Sequence, residues 1–457
     1  MTAGSSRGWS AELPHLIRQS ARYLPSRLVP ALLGLLTIPL LTRSLSPSGF
    51  GSYSLVAAAL PYASVLAGDW VVSGYQRQAQ SRIPHEKAQA LTWLLIVSLT
   101  GTVLLTVTAV AGGPPETLGV ALLLVPFLLL RLQWTQLQML ERATAYTWLQ
   151  VAYSTLRMIA VGGIAALTRR ADYVVLAWVL TTWLLVLLGP RLPLPRRPTT
   201  AALRQLAAVG VPLVGASLTI NFAATADRFI IASLLGRDAT GIYSLGYLVG
   251  ESLLALPASV VYLAAYPVIT RLWDAGDEGA ALALLRRVVH VQLMIMIVLA
   301  MLVAAAGAPI VRLAGGEAYI SGGTVVGAVA GAQVAAGLPL YLILVATLHG
   351  ETRRTVWPSV TACLVNVVLT VPAVLVAGIQ GAALATVVTY LFYAMSLLKA
   401  VDATLLARPQ VAALLLGTVA PAMVSLGGPL LMTGGFAAGT IATLILLATL
   451  RAKKELV

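Results

Sequence analysis

The chain is a succession of fourteen apolar runs, each broken from the next by a short polar or charged stretch. That pattern limits what the chain can fold into. A run of about 20 apolar residues is the length of helix that spans bilayer hydrocarbon. In lipid every backbone N–H and C=O must find its partner inside the segment, so runs of this kind become helices. Of the 457 residues 59% are hydrophobic and only 10% charged, whereas a soluble domain carries about 25% charged residues. A soluble fold could not hide this much apolar surface, so the bilayer is the expected solvent.

The spacing predicts spans over 21–42, 50–75, 89–111, 117–140, 145–168, 172–189, 206–232, 241–270, 288–312, 324–348, 357–377, 382–399, 411–432 and 435–450. No connection is long enough for a large extramembrane catalytic domain. The segment Met1–Ser20 is polar and basic, with no apolar run followed by a cleavage site. The first span is therefore expected to act as its own insertion signal.

The formal net charge of +14 invites a nucleic-acid reading, but the placement of the charges explains it differently. With the N-terminus in the cytoplasm, 22 of the 30 Lys and Arg residues fall on the cytoplasmic side. Five (Arg43, Arg169, Arg170, Arg237, Arg312) fall outside, and three (Arg131, Arg157, Arg228) within spans. This is the positive-inside bias of a multi-pass membrane protein with both termini in the cytoplasm, and no nucleic-acid partner is expected. Cys363 is the single cysteine and cannot form an intrachain disulfide; the four histidines lack metal-ligand spacing. Neither a metal nor another cofactor is expected.

The most polar and proline-rich stretch, Pro190–Gln205, divides the chain into halves that resemble each other. Leu45, Gly51, Tyr53, Ser54 and Leu55 recur as Leu235, Gly241, Tyr243, Ser244 and Leu245, all offset by 190 residues and all joining the first to the second span of a half. A looser echo pairs Glu141 and Trp148 with Glu351 and Trp357. Duplication of six-span units marks a transporter built from two bundles. The expected organisation is a cytoplasmic segment 1–20, a six-helix bundle 21–189, a linker 190–205, a second six-helix bundle 206–399, a linker 400–410, helices 13 and 14 over 411–450, and a cytoplasmic tail 451–457.

Ionisable groups inside spans are costly and mark function or helix pairing. Six stand out: Asp69, Arg131, Arg157, Asp227, Arg228 and Glu251. Five of them, all but Asp227, belong to a polar stripe at helical spacing. Arg131 shares a face with Trp134, Thr135 and Gln138; Arg157 with Gln150, Tyr153 and Ser154; Arg228 with Asn221 and Thr225; Glu251 with Tyr243 and Tyr247; Asp69 with Tyr62, Ser73 and Gln76. Such stripes on several helices suggest a hydrated cavity. Mid-span arginines suit a phosphate, because guanidinium binds it bidentately and keeps its proton. On this reading Arg131, Arg157, Arg228, Arg27, Gln138, Gln150 and Asn221 are candidate substrate ligands, and Asp69, Asp227 and Glu251 are candidates for ion coupling or gating. The structural alternative is that these groups only pair with one another, Asp227 and Arg228 most readily, since they lie near the outer end of span seven. The other Tyr and Trp residues read mostly as interfacial anchors.

The prolines Pro25, Pro30 and Pro39 in span one, and Gly210, Pro212 and Gly215 at the start of span seven, should bend corresponding helices. Pro30, Pro39, Gly210 and Pro212 are hinge candidates, with static curvature as the alternative.

The segment from Pro39 to Tyr53, the pair Gly68–Asp69 followed by Arg77, Val209 to Leu213, Ala226 to Ile231, and Gly241 to Ser244 together resemble bacterial polysaccharide-transporter flippases. These belong to the multidrug/oligosaccharidyl-lipid/polysaccharide exporter superfamily. The resemblance implies two six-helix bundles around a cavity open to one side at a time. It implies a lipid-linked oligosaccharide cargo, usually on undecaprenyl pyrophosphate, moved across the bacterial cytoplasmic membrane by alternating access for surface polysaccharide synthesis. It also implies coupling to H+ or Na+, contact with membrane lipids, and association with other polysaccharide-assembly proteins. The lipid II flippases are similar as well, but of their clustered first-span arginines only Arg27 has a counterpart here. Helices 13 and 14, uncharged from Val411 to Leu450, suit a lipid-facing surface.

Two other readings are weighed. A drug–cation antiporter of the same superfamily would use Asp69, Asp227 and Glu251, but the arginines beside them disfavour a cationic cargo, and such antiporters usually have twelve spans. An enzyme would need a catalytic loop or a nucleophile–base arrangement. The loops Gly315–Gly323 and Leu234–Thr240 are too short, and no such arrangement is present, so no enzyme is expected.

Overall fold

The computed structural model describes residues 25–78, 84–401 and 405–454, with the side chains of 26–27, 77–78, 84–87, 209, 212–224 and 450–454 left aside. The described residues form helices joined by short turns, with no strand among them. The helices are α1 (Pro25–Ser44), α2 (Pro47–Ser64), α3 (Trp70–Gln78), α4 (Pro84–Val110), α5 (Glu116–Met139), α6 (Ala143–Thr168), α7 (Ala171–Leu188), α8 (Thr200–Asp274), α9 (Glu278–Ala305), α10 (Gly307–Gly315), α11 (Gly323–Leu348), α12 (Val356–Val401), α13 (Arg408–Leu426) and α14 (Pro429–Lys454). A π-helical turn, Val65–Asp69, joins α2 to α3.

Eleven stretches of the described residues are long and apolar enough to cross a membrane, and Leu28–Ser44 is a shorter apolar helix. Two of the eleven, Thr225–Asp274 and Thr352–Val401, have 50 residues each. At 1.5 Å per residue each would run about 75 Å, more than twice the hydrocarbon thickness. The helices that contain them, α8 and α12, each break near the middle. In α8 the break is Gly236, at φ 86° and ψ −179°; in α12 it is Ala377 and Gly378, the latter at φ 59° and ψ −139°. Those two glycines hold conformations that a side chain disfavours. Beyond each break the chain returns antiparallel. Tyr243 meets Asp227 across the first turn, and Asn366 donates to Thr389 Oγ1 at 3.3 Å across the second. Counting both arms, together with α1, gives the fourteen crossings expected.

The chain separates into two compact units. Unit 1 runs up to Leu45 and again over Leu55–Leu218; unit 2 comprises Ser46–Ser54 and Thr219–Val457. In unit 1, α1 packs on α6, α4 on α5, and α5 and α6 on α7. Its core gathers Val71, Tyr75, Leu94, Leu124, Leu128 and Leu185, all buried. The proline-rich linker cannot satisfy its own backbone, and side chains of α4 do so instead. Thr92 Oγ1 donates to the Arg196 carbonyl at 2.8 Å and accepts from the Arg196 N–H at 3.0 Å, while Gln89 Nε2 donates to the Arg197 carbonyl at 2.7 Å. Gly210 lies against α3: a Cβ there would sit 1.9 Å from the Trp70 carbonyl oxygen. Close backbone approach thus requires a glycine at that position. α1 continues as one helix through Pro30 and Pro39.

In unit 2, α11 is buried along almost its whole length and is rich in Gly and Ala. The small residues let neighbours approach, as they do in membrane bundles generally. A Cβ on Gly331 would meet the Thr418 carbonyl oxygen at 2.2 Å, which brings α13 onto α11. A buried polar chain ties α13 and α14 to α9. The Ala407 N–H donates to Gln410 Oε1 at 2.8 Å, Gln410 Nε2 lies 2.7 Å from His290 Nδ1, and His290 Nε2 lies 2.9 Å from the Leu446 carbonyl. Every donor is matched when the imidazole is neutral with its proton on Nε2. The two copies of the repeated motif pair on each other within this unit. A Cβ on Gly51 would lie 2.1 Å from the Arg237 carbonyl oxygen, one on Gly241 would lie 1.9 Å from that of Pro47, and Ser244 Oγ donates to Ser54 Oγ at 2.9 Å. Pro47 and Arg237 are themselves 190 positions apart, so the contact has a local two-fold.

Large apolar side chains remain exposed on many helices, Leu99, Val103, Val107 and Val110 of α4 among them. Such a surface suits hydrocarbon, not water.

Candidate functional site

The mid-span charges form two clusters, one in each unit. In unit 1 the π-turn widens the backbone at Val65–Asp69, and Gly68 lets it press onto α4 and α5. A Cβ at Gly68 would lie 2.7 Å from Leu94 Cδ1 and 2.8 Å from Leu128 Cδ1. This seats Asp69 beside Arg131, one turn beyond Leu128, with Arg131 Nε 3.2 Å from Asp69 Oδ1. Sequence offers no carboxylate beside Arg131; the fold supplies one from another helix. The Asp69 side chain is 13% exposed and that of Arg131 43%. The carboxylate therefore sits behind the guanidinium, and much of the cation stays free to meet a ligand.

Three positions after Arg131, Trp134 packs edge-on against Tyr153 of α6, ring centroids 5.5 Å apart and planes at 73°. Trp178 of α7 donates its indole N–H to the Tyr153 hydroxyl at 2.8 Å. Arg157 lies over this aromatic wall, its guanidinium carbon 5.6 Å from the Tyr153 centroid and 5.2 Å from that of Trp178. Ring faces hold a guanidinium without neutralising it. Gln138 and Gln150 are half-buried on the same two helices, and Gln150 donates to the Tyr146 hydroxyl at 3.2 Å. Trp178 was legible only as an interfacial anchor, yet it is buried and forms part of the site. Its signal was the neighbouring tyrosine, not its own position.

In unit 2, Asp227 and Arg228 precede the Gly236 turn, and Tyr243, Tyr247 and Glu251 follow it. Asp227 is 3% exposed and Arg228 6%. The carboxylate accepts a very short hydrogen bond from the Tyr243 hydroxyl and another from the Arg228 backbone N–H at 2.8 Å. The Arg228 guanidinium lies 4.6 Å over the Tyr247 ring. Glu251, half-buried, faces both Arg228 and Asp227. From α12, Thr386 reaches the Tyr243 hydroxyl and Tyr390 reaches Tyr247 and Glu251. The stripe of Tyr243, Tyr247 and Glu251 thus comes together with Asp227 and Arg228 as one cluster. Tyr390 and Thr386 join from a helix whose apolar sequence carries no ionisable signal at that depth. The side chains of Arg27, Asn221 and Pro212 lie outside the described residues.

The internal repeat isolates what is special here. At the 190-residue offset, Asp227, Arg228, Tyr247 and Glu251 correspond to Thr37, Ile38, Ala57 and Pro61, and only Tyr243 has its like, Tyr53. The scaffold is duplicated; the buried charges are not. Among the described residues no three His, Cys, Asp or Glu residues group as metal ligands.

The model of the polysaccharide biosynthesis protein family matches residues 16–273, more than half of the chain. No curated protein matches it in sequence. Among solved structures, the fold resembles lipid II flippase MurJ in an inward closed conformation, with TM-score 0.72 and 12% identity over 94% of this chain and 99% of that one. It also resembles an inward-facing multidrug-resistance MATE transporter of the MOP superfamily, with TM-score 0.58 and 14% identity over 86% and 98% of the two chains. A third likeness is to a MOP-superfamily transporter from Pyrococcus furiosus described by the reverse polarity of its binding pocket, with TM-score 0.52 and 13% identity over 90% and 96%. At these identities the likeness is one of fold. Fourteen membrane helices, a fold like that of the MOP-superfamily transporters and the family match together make this multi-pass chain a member of the polysaccharide biosynthesis protein family.

Proposed function

We propose that the chain flips a lipid-linked oligosaccharide from the cytoplasmic to the outer leaflet of the bacterial cytoplasmic membrane. Its cargo is an oligosaccharide on a polyprenyl pyrophosphate of the undecaprenyl type, and access to the site alternates between the two sides. The observation that carries this reading is the pair of mid-span guanidinium groups in unit 1, Arg131 backed by Asp69 and Arg157 held over Tyr153 and Trp178. Guanidinium groups bind a pyrophosphate bidentately and keep their charge. Asp69 orients Arg131 from behind without covering it. A prenyl tail would stay in the bilayer, where no polar partner is needed.

The test is the double substitution Arg131→Ala with Arg157→Ala. The variant should reach the membrane in normal amount, and export of the glycan should stop. Export at the parental rate would show that the anion site is elsewhere. A drug–cation antiporter is the competing reading, favoured by the carboxylates Asp227 and Glu251. Single cysteines at positions 131, 157 and 251, placed in a Cys363→Ser background, separate the two. A pyrophosphate-linked sugar should protect the first pair from a water-soluble thiol reagent, and an organic cation should not.

A further inference from the structure

From Ser252 to Thr270 the second arm of α8 bears no charged residue. Helical spacing sorts its side chains into faces. Val260, Ala264 and Val268 form an exposed apolar face, as hydrocarbon requires. Ser252, Ser259, Tyr266 and Thr270 line another, with Tyr262 and Trp273 at its edge. The rings of this second face are backed by other helices. Tyr262 and Tyr266 have centroids 5.8 Å apart and planes at 44°. Tyr341 of α11 meets Tyr262 edge-on, centroids 5.4 Å apart and planes at 68°. Tyr341 is buried, and its hydroxyl donates to Gln292 Oε1 of α9, buried likewise. Gly337 makes room for that amide, since a Cβ there would lie 2.7 Å from Gln292 Nε2. Further along α8, Trp273 packs edge-on against His349 at 4.6 Å.

The rings thus run from a fixed, buried anchor to the surface, where Tyr266 is 43% exposed. Among the described residues the hydroxyls of Tyr262 and Tyr266 have no hydrogen-bond partner. Ser259 and Thr270 donate to carbonyls of their own helix, at 2.7 and 3.0 Å, and keep lone pairs for a donor. A tyrosine that only anchors a helix at the membrane surface needs no backing ring and no place in a polar face. This face offers rings and hydroxyls and no charge. A pyrophosphate finds no cation on it, and a prenyl chain would leave its hydroxyls unpaired. A neutral sugar matches both features. The C–H bonds on one side of a pyranose are positively polarised and pack on the negative face of an aromatic ring, and its hydroxyls exchange hydrogen bonds with tyrosine, serine and threonine.

We propose that Tyr262 and Tyr266, backed by Tyr341 and Gln292, form a subsite for the sugar rings of the cargo. This deepens the flippase reading and rests on it: the arginines of unit 1 hold the charged end of the cargo, and this face of unit 2 takes the neutral end. Helix rise puts about 16 Å between Tyr262 and Trp273, a length that suits more than one sugar ring.

The test measures binding by the full chain in lipid nanodiscs. The probes are bare undecaprenyl pyrophosphate, the same lipid carrying a neutral disaccharide, and tetraphenylphosphonium as an organic cation. The parent should bind the glycosylated lipid about tenfold more tightly than the bare one, a difference in free energy that two ring contacts can supply. Tyr262→Ala with Tyr266→Ala should bind both lipids alike, at the parent's affinity for the bare one. Tyr262→Phe with Tyr266→Phe keeps the rings and drops the hydroxyls, and should lose only part of the preference. An undiminished preference in the double alanine variant, or no preference in the parent, overturns the subsite and leaves the cargo reading intact. Equal weakening toward both lipids also overturns it, because the face then acts on the fold or the prenyl chain. A parent that binds neither lipid but holds tetraphenylphosphonium through the two tyrosines overturns the subsite and the cargo reading together.

Discussion

Gly241→Ala should destabilise unit 2 by forcing the two copies of the repeated motif apart. The added Cβ would lie 1.9 Å from the Pro47 carbonyl oxygen and 3.0 Å from the Gly51 nitrogen, whereas real Cβ contacts are essentially never below 3.0 Å. The neighbour is backbone on both counts and cannot swing away. The two helix starts must part by at least about 1 Å, and overpacking of this kind costs about 1–3 kcal/mol. Parting also stretches the bond between Ser244 Oγ and Ser54 Oγ, now 2.9 Å long, which is worth about 1 kcal/mol when satisfied. Against this, alanine improves a helix interior by about 0.5–1 kcal/mol relative to glycine. The net is a loss of about 1.5–3 kcal/mol. The control is Gly163→Ala in α6, where nothing lies within 4 Å of the new Cβ; it should gain the helix-propensity increment alone. Denaturation of both variants in the same detergent, followed by helix content, measures the difference. If Gly241→Ala unfolds together with Gly163→Ala, the two motifs do not press on each other as described. A disulfide formed by Ser54→Cys with Ser244→Cys, in a Cys363→Ser background, checks the contact by a second route.

Two further outcomes follow from single contacts. Asp69→Asn should cost no more than about 1 kcal/mol, because the pair it breaks is partly exposed and rests on one nitrogen. It should also leave glycan export in place, whereas Arg131→Ala with Arg157→Ala removes it; loss of export in both variants would make Asp69 itself a ligand. His290→Ala should loosen α13 and α14, since the buried Gln410 amide is left without its acceptor, at about 1–3 kcal/mol, while the Leu446 carbonyl keeps the Thr449 hydroxyl as a donor at 2.9 Å. Amide exchange along 408–446 that matches the parent would show that α11 alone holds these helices.

The fourteen crossings were legible because each rests on composition within a short window: twenty apolar residues need no partner to declare themselves. Even the two hairpins within α8 and α12 were separated by the span bounds, 206–232 from 241–270 and 357–377 from 382–399. What could not be read were distances across helices. Asp69 and Arg131 stood in separate polar stripes, and only the π-turn, held down by the small Gly68, sets one against the other. His290 read as a lone residue without metal spacing, and its partners lie 120 and 156 positions away. Trp178, outside the polar stripes, read as an interfacial anchor; its burial is decided by a hydrogen bond to Tyr153, 25 positions away.

The duplication supplies a way to recover part of what single windows miss. Where both halves keep a residue, as with Gly51 and Gly241 or Ser54 and Ser244, the two copies touch and the reason is packing. Where only one half has a charge, packing cannot be the reason, because the same scaffold stands elsewhere without it. Thr37, Ile38 and Pro61 show that the positions of Asp227, Arg228 and Glu251 tolerate neutral residues. Burying two carboxylates and a guanidinium there costs stability that the other half does not spend. A cost borne in one copy and absent from the other is the mark of a group kept for its chemistry, and it is the unit 2 cluster that bears it.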